Sequence, residues 1–143
     1  MKELGNRLKH LREKHKLAQC AAGALIGEPV GNYQNYEYGD SNPSIEQLII
    51  FAKEFHSSIE YIVRGRENKV IYANETIIFQ ERLKELRKKN HLTQKQIAAI
   101  LNMKFQNYQK YEYGETVPTL GRIIQLADLF QVPMDDMMGR VRK

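Results

Sequence analysis

The stretch NYQKYEYGETVPT, which runs from Asn107 to Thr119, is written almost unchanged earlier in the chain as NYQNYEYGDSNPS, from Asn32 to Ser44. The same offset of 75 positions aligns Arg7–Phe55 with Arg82–Phe130 without a gap, giving 20 identities in 49 positions. A repeat of this length indicates two copies of one folding unit rather than a solenoid of short repeats.

Composition favours two small soluble domains. Each copy has about 65 residues, near the lower end of what buries an adequate core unaided. Cys20 is the only cysteine, and no cysteine and histidine cluster suggests zinc, so we expect no disulfide, metal or cofactor and a reducing, cytoplasmic setting. The chain has no long apolar run, so no membrane partner is expected. Its net charge of +5 is compatible with binding a polyanion but does not demonstrate it.

Periodicity and capping signals divide the second copy into helices. The spacing of apolar residues predicts a first helix from about Ile77 to Asn90. Thr93 precedes Gln96 by three residues, the pattern with which side chains satisfy free amides at a helix start, so a short second helix follows. Asn102 is a turn residue, and a third helix then ends at Gly114.

The fourth helix of this copy is predicted to begin after its cap, Thr119. A fifth, short helix follows Pro133. The first copy repeats this plan, with Ser44 at the start of its fourth helix. The apolar stripe predicted for the fourth helix of the second copy consists of Leu120, Ile123, Ile124, Ala127 and Phe130.

The segment between the copies, RENKVIYANET, has no helical period and is interpreted as a linker. Its VIY tripeptide, which begins at Val70, is compatible with a short strand. We therefore predict an all-α fold with two tandem five-helix domains, residues 1–66 and 77–143, joined by a linker at residues 67–76.

The segment LTQKQIAAILNMKFQNYQKYEYGETVPTL, which begins at Leu92, resembles the Cro/C1-type, or XRE-type, helix-turn-helix DNA-binding family. Its most specific features are the Leu-Thr-Gln opening, the pair Ile97 and Ala98, the Tyr-Glu-x-Gly close from Tyr111 to Gly114, and the proline before the fourth helix. The resemblance implies lambda-repressor-like domains that bind double-stranded DNA. It further implies that the third helix lies in the major groove while the second spans the backbone.

Candidate base-reading residues lie at the start of that third helix. Glutamine and asparagine present a donor and an acceptor together, so Gln106 and Asn107 can pair with adenine in two-pronged fashion. Lys110, one turn further on, can donate to guanine, and Phe105 can contact a thymine methyl group.

Candidate backbone contacts surround the reading residues. By the resemblance, Gln94 matches the position that usually binds a phosphate, and Gln19 is its counterpart in the first copy. Lys104 precedes the third helix and is well placed for a phosphate. Tyr113 and Tyr38 lie at the ends of the third helices, where the hydroxyl can reach a phosphate.

Two pairs of charged residues repeat with the same spacing. Arg87 precedes Glu112 by 25 residues, and Arg12 precedes Glu37 by 25. The resemblance implies that each pair is an internal salt bridge rather than a catalytic site. The sequence also contains no paired carboxylates, nucleophile with base, or phosphate-binding glycine loop at useful spacing, so we expect no catalytic residues and no enzyme.

The copies differ most where DNA would be read, because the first has EPVGNYQN where the second has MKFQNYQK. Gly31 offers no group to a base edge, which leaves Val30, Asn32 and Asn35 as the candidate readers of the first copy. Ala18 also replaces the threonine cap. Two alternatives are open: the first copy reads a different half-site, or it is mainly an interaction module for self-association or a protein partner.

These features together predict a sequence-specific DNA-binding transcriptional regulator, a repressor of phage or mobile-element type, with two units reading adjacent major grooves about 34 Å apart. One alternative is an antitoxin-type autorepressor that also binds a partner protein. Another is an interaction module in which only the second copy, or neither, binds DNA.

Overall fold

A computed structural model describes residues 1–66, 72–76 and 78–142 of the chain. The chain divides into two compact units, Met1–Lys69 and Val70–Lys143, each built mainly of helices. The all-α fold class is confirmed, with one small β-ribbon added in the second unit. None of the helices in the described ranges combines the length and apolar character needed to cross a membrane.

Within the described ranges, each unit contains five helices in the order predicted. The helices of the first unit are α1 (Lys2–Lys14), α2 (Gln19–Leu25), α3 (Val30–Tyr38), α4 (Ile45–Glu54) and α5 (Ile59–Arg64). The second unit contains β1 (Tyr72–Thr76), α6 (Phe79–Lys89), α7 (Gln94–Ile100), α8 (Phe105–Tyr113), α9 (Leu120–Phe130), α10 (Met134–Met137) and β2 (Arg140–Arg142).

Side chains cap several helix starts as the sequence predicted. At α7, the Thr93 hydroxyl accepts from the amide of Gln96, whose side chain accepts from the amide of Thr93. Ser44 and Gln47 form the same reciprocal pair at α4. Ala18 gives α2 no such bond. A cap of this kind contributes about 1 kcal/mol, so α2 starts less firmly than α7.

Glycine ends both third helices. Gly39 has φ 80° and Gly114 has φ 77°, and the amide of each bonds back into the last turn of its helix. This left-handed conformation strains any residue with a Cβ atom. The repeated Tyr-Glu-Tyr-Gly sequence therefore fixes where α3 and α8 stop.

Each unit has its own core. Tyr33 and Tyr108 are fully buried and meet the rings of Tyr36 and Tyr111 edge to face, with centroids 6.4 and 6.2 Å apart. In α9 the stripe differs from the prediction, because Leu120 and Ile124 are only half-buried and Leu126, which the prediction does not include, is fully buried. Residue 126 faces inward because it lies three positions from Ile123, on the same side of the helix.

A two-stranded antiparallel ribbon falls partly within the predicted linker, of which residues 67–71 lie outside the described residues. Tyr72 pairs with Arg142, and Thr76 pairs with Arg140. The Arg140 guanidinium lies 4.6 Å from the centroid of the Tyr72 ring and donates to buried Asp135 over 2.7 Å. Residues 72–76 thus belong to the second unit, since their backbone partners come from its far end.

Candidate nucleic-acid interface

The helix α8 presents one polar face outward. Tyr108 and Glu112 are buried on its inner side, four residues apart. Gln106, Asn107 and Lys110 are all exposed on the other side. Three of the four predicted base readers of this unit therefore lie together on one open helix face, as the 3.6-residue period requires.

A buried ion pair fixes α8 against α6. The Arg87 guanidinium donates through Nε and Nη2 to the two carboxylate oxygens of Glu112, over 2.8 and 3.1 Å. The bond to Glu112 is the main reason that the pKa of Arg87 is raised. Bidentate pairing sets orientation as well as distance, so the pair determines how α8 projects from the unit.

The first unit contains the same pair. Arg12 donates to Glu37 over 2.6 and 3.1 Å. Burial alone would raise the pKa of Glu37, but the hydrogen bonds from Arg12 and Gln19, with the positive charge of Arg12, outweigh burial and lower it. Glu37 is therefore a carboxylate inside the unit, occupied by internal donors.

In the second unit, Gln94 and Gln109 form a chain of hydrogen bonds, here called the glutamine relay, that connects Glu112 to the start of α7. Gln94 donates to Glu112 over 3.2 Å, and Gln109 donates to the side-chain oxygen of Gln94 over 3.3 Å. In the first unit, Gln34 and Gln19 form the matching relay to Glu37, over 2.9 and 3.3 Å. An amide nitrogen has two hydrogens, so Gln94 keeps one donor for a phosphate while the relay fixes its rotamer.

Positive side chains surround α8. Lys104 is exposed just before the helix, and the Lys95 ammonium of α7 lies 5.6 Å from the centroid of the Phe105 ring. Arg122, at the start of α9, donates to the carbonyl of Leu101 over 2.7 Å. Phe105 is half-buried beside Lys95, which limits the ring surface it can offer to a base.

Exposed tyrosines lie at the ends of both α8 and α3. Tyr113 and Tyr38 are each 59% exposed, directly before the glycines that end α8 and α3. Their rings extend away from the cores, in contrast to buried Tyr108 and Tyr33. Both hydroxyls thus lie where solvent or a phosphate can reach them.

The corresponding face of α3 has fewer polar side chains than that of α8. Val30 is 42% exposed, and the space around Gly31 is open. Asn32 and Asn35 are exposed, but the Asn32 amide donates to the carboxylate of Glu28 over 2.8 Å. One of the two predicted polar readers of this unit is therefore already hydrogen-bonded within the unit.

Comparison with protein families identifies both units. A helix-turn-helix family model, HTH_3, matches residues 8–62 and again residues 83–137. The chain belongs to this helix-turn-helix family. Each match spans the five helices of one unit only in part, but includes both α2 and α3 in the first and both α7 and α8 in the second.

Several helix-turn-helix proteins are similar to parts of the chain. The cryptic phage CTXphi transcriptional repressor RstR of Vibrio cholerae is 36% identical over 61 residues, which cover 43% of this chain and 54% of the repressor. The transcriptional regulator AnsR of Bacillus subtilis is 36% identical over 63 residues, covering 44% and 54%. The chain thus matches about half the length of these curated relatives.

Two solved structures are also similar to parts of the chain. The P22 c2 repressor in complex with a synthetic operator matches with 26% identity and a TM-score of 0.43, covering 46% of this chain and 100% of that one. A transcriptional regulator from Listeria innocua matches with 27% identity and a TM-score of 0.42, covering 68% and 84%.

Sequence reasoning missed four residues of the helix-turn-helix surfaces. Gln109 could have been found from its repetition as Gln34, at the same distance from its partner glutamine in each copy. Lys95 and Arg122 had no repeated counterpart to mark them. Glu28 stands next to a proline in a turn, and no local pattern indicated that it binds Asn32.

Proposed function

We propose that this protein is a sequence-specific double-stranded DNA-binding transcriptional regulator of the repressor kind. The observation that supports this function best is the construction of α8. Its inner side is fixed by buried Tyr108 and the Arg87–Glu112 pair, while Gln106, Asn107 and Lys110 are exposed together on its outer side. A rigid helix with exposed amide and ammonium groups is what base recognition in a major groove requires.

In this proposal, α8 enters the major groove and reads bases. Gln106 and Asn107 pair with adenines, and Lys110 donates to guanine. The methyl group of a thymine contacts the exposed edge of Phe105. These contacts specify sequence, because each donor and acceptor pattern in the major groove belongs to one base pair.

Backbone contacts orient the helix without specifying sequence. The Gln94 side chain, fixed by its relay, donates to a phosphate, and Lys104, Lys95 and Arg122 neutralise others. The Tyr113 hydroxyl adds a contact at the far end of α8. Three cations on phosphates predict that the logarithm of affinity falls with the logarithm of salt concentration with a slope of about −2.7.

The named relatives support a regulatory role, since one is a phage transcriptional repressor and another a transcriptional regulator. Repression follows if the bound protein occludes a promoter. We expect no catalysis, because α8 and its surroundings assemble side chains suited to binding rather than to bond cleavage. We place this activity in the cytoplasm, where DNA is accessible to a bacterial or phage regulator.

Selection of bound duplexes from a random library tests this function directly. Purified full-length protein is incubated with the library at near-physiological salt, and the bound DNA is sequenced through successive rounds. We expect an enriched motif whose affinity decreases steeply with salt. Absence of enrichment, together with salt-insensitive binding, would refute a DNA-binding regulator.

A further inference from the structure

The two units have opposite charge on matching helix-turn-helix surfaces. Residues 18–47, from the cap of α2 to the first turn of α4, contain four carboxylates and no lysine or arginine. The matching residues 93–122 contain three lysines, one arginine and two glutamates. Each of these two ranges contains one carboxylate, Glu37 or Glu112, that is buried and paired with an arginine. Without that carboxylate, residues 18–47 have a net charge of −3 and residues 93–122 have a net charge of +3.

The substitutions fall at the positions that would meet DNA. Lysines at positions 95, 104 and 110 are replaced in the first unit by Cys20, Pro29 and Asn35, and Arg122 is replaced by Gln47. Position 103, two residues before α8, is occupied by Met103 in the second unit and by Glu28 at the matching place in the first. Every one of these five differences makes the first unit less positive or more negative.

Glu28 also alters the geometry of the face. One carboxylate oxygen accepts from the Asn32 amide over 2.8 Å, and the other accepts from the Gln47 amide over 3.2 Å. Glu28 thus links the first turn of α3 to the first turn of α4. It directs the only polar reader at the start of α3 toward a carboxylate rather than toward a groove.

We propose that the reading face of the first unit excludes DNA, with Glu28 as the residue that closes it, and that each chain reads DNA through its second unit alone. This inference rests on the proposed function of α8. If both units read DNA, one chain would address two adjacent grooves. In this proposal, one chain addresses a single half-site.

The charge on this face of the first unit is expected to repel DNA rather than only to weaken its binding. A DNA duplex has one negative charge per roughly 1.7 Å of its axis, so a docked face meets several phosphates at once. Screening acts over about 8 Å at physiological salt, which leaves carboxylates at a docked surface largely unscreened. Glu28, Asp40 and Glu46 would approach phosphates, and residues 18–47 contain no lysine or arginine. Outside that range, Lys2 lies against Gly39 and the N-terminal ammonium donates to Asn42, so the repulsion assigned here is that of Glu28 and Glu46.

Asparagine at the same position in both units provides a matched test. Asn107→Ala and Asn32→Ala are compared in the full-length chain, on a duplex selected by the wild type and on its single-base variants. We expect Asn107→Ala to weaken binding about 5- to 150-fold and to relax one position. Asn32→Ala should change affinity less than about twofold. A loss from Asn32→Ala as large as that from Asn107→Ala would overturn the inference.

Transfer of the acidic residue tests the role assigned to Glu28. Met103→Glu introduces the carboxylate at the matching position of the second unit, and Met103→Gln is the neutral control of similar size. We expect Met103→Glu to weaken binding about tenfold or more relative to Met103→Gln, because like charges then meet at the interface. Equal affinities for the two variants would overturn the role of Glu28. Thermal unfolding of both variants separates a loss of affinity from a loss of folding.

The proposed function and the inference fail in different ways. If the wild type binds no duplex even at about 50 mM salt, where phosphate contacts are strong, the regulator function itself is wrong. If the wild type binds and Asn32→Ala and Asn107→Ala are equally damaging, only the exclusion of DNA by the first unit is wrong.

Discussion

Replacement of Gln106 by alanine should remove recognition of one base pair while leaving the fold intact. Gln106 is exposed on α8, so its truncation empties no part of the core. The lost interaction is a two-pronged contact with a base edge, which is worth about 1 to 3 kcal/mol of discrimination. Affinity for the preferred site should therefore fall about 5- to 150-fold, and the variant should distinguish poorly among bases at one position.

The helix geometry also predicts how far apart on the DNA the base pairs read by Gln106 and Lys110 lie. Gln106 and Lys110 are four residues apart on α8, about 6 Å along the helix axis at 1.5 Å per residue. Base pairs are spaced by about 3.4 Å. With α8 lying along the groove, Lys110→Ala should therefore relax a second position about two base pairs from the first.

Fluorescence anisotropy on a selected duplex and all of its single-base variants measures both effects. Gln94→Ala is the matched control, since a backbone contact should weaken binding to every duplex by a similar factor. If Gln106→Ala instead weakened all duplexes equally, Gln106 would not read a base. If the positions relaxed by Gln106→Ala and Lys110→Ala coincided, α8 would not lie along the groove.

Three other changes test the supporting structure. Gln109→Ala should weaken binding to all duplexes about 2- to 13-fold, because Gln94 then loses the hydrogen bond that fixes it. In a double-mutant cycle, Gln109→Ala should cause no further loss of affinity when Gln94 is already alanine. Ala18→Thr should raise the free energy of unfolding in urea by up to about 1 kcal/mol by capping α2, and no gain would contradict the capping argument. The lowered pKa of Glu37 means that its pairing with Arg12 stabilises the fold above the unfolded pKa of about 4.3 and loses this effect as pH falls through the lower folded value. Glu37→Gln should therefore lower stability at neutral pH by about 3 kcal/mol and flatten the acid part of a stability curve, whereas an unchanged curve would exclude this role.

Elements with local signals were predictable. The start of α7 follows from Thr93 and Gln96, and the end of α8 follows from Gly114, because each signal acts within about four residues of the chain. The Arg87–Glu112 pair spans a longer distance, and its prediction depended on the family resemblance together with its repetition at equal spacing as Arg12 and Glu37.

The β-ribbon could not be derived from its own residues. Tyr72 pairs with Arg142, so the strand exists only because two remote segments of the second unit meet. The VIY tripeptide that begins at Val70 suggested a short strand, but of its residues only Tyr72 lies in β1, whose other residues give no strand signal of their own. The segment was accordingly interpreted as a linker.

The sequence by itself determined that one folding unit is present twice, where most of its helices begin and end, and that Gln106, Asn107 and Lys110 share one face of α8. Repetition, capping and helical period are properties of neighbouring residues, and they remain legible without a structure. Only the tertiary structure decided which hydrogen bonds the polar side chains of the two helix-turn-helix surfaces make. Glu28 takes the amide of Asn32 because α3 starts at a turn that also meets α4, and Gln109 fixes Gln94 across 15 residues because α7 packs on α8. Such contacts depend on how helices pack, so the spacing of residues along the chain did not reveal them.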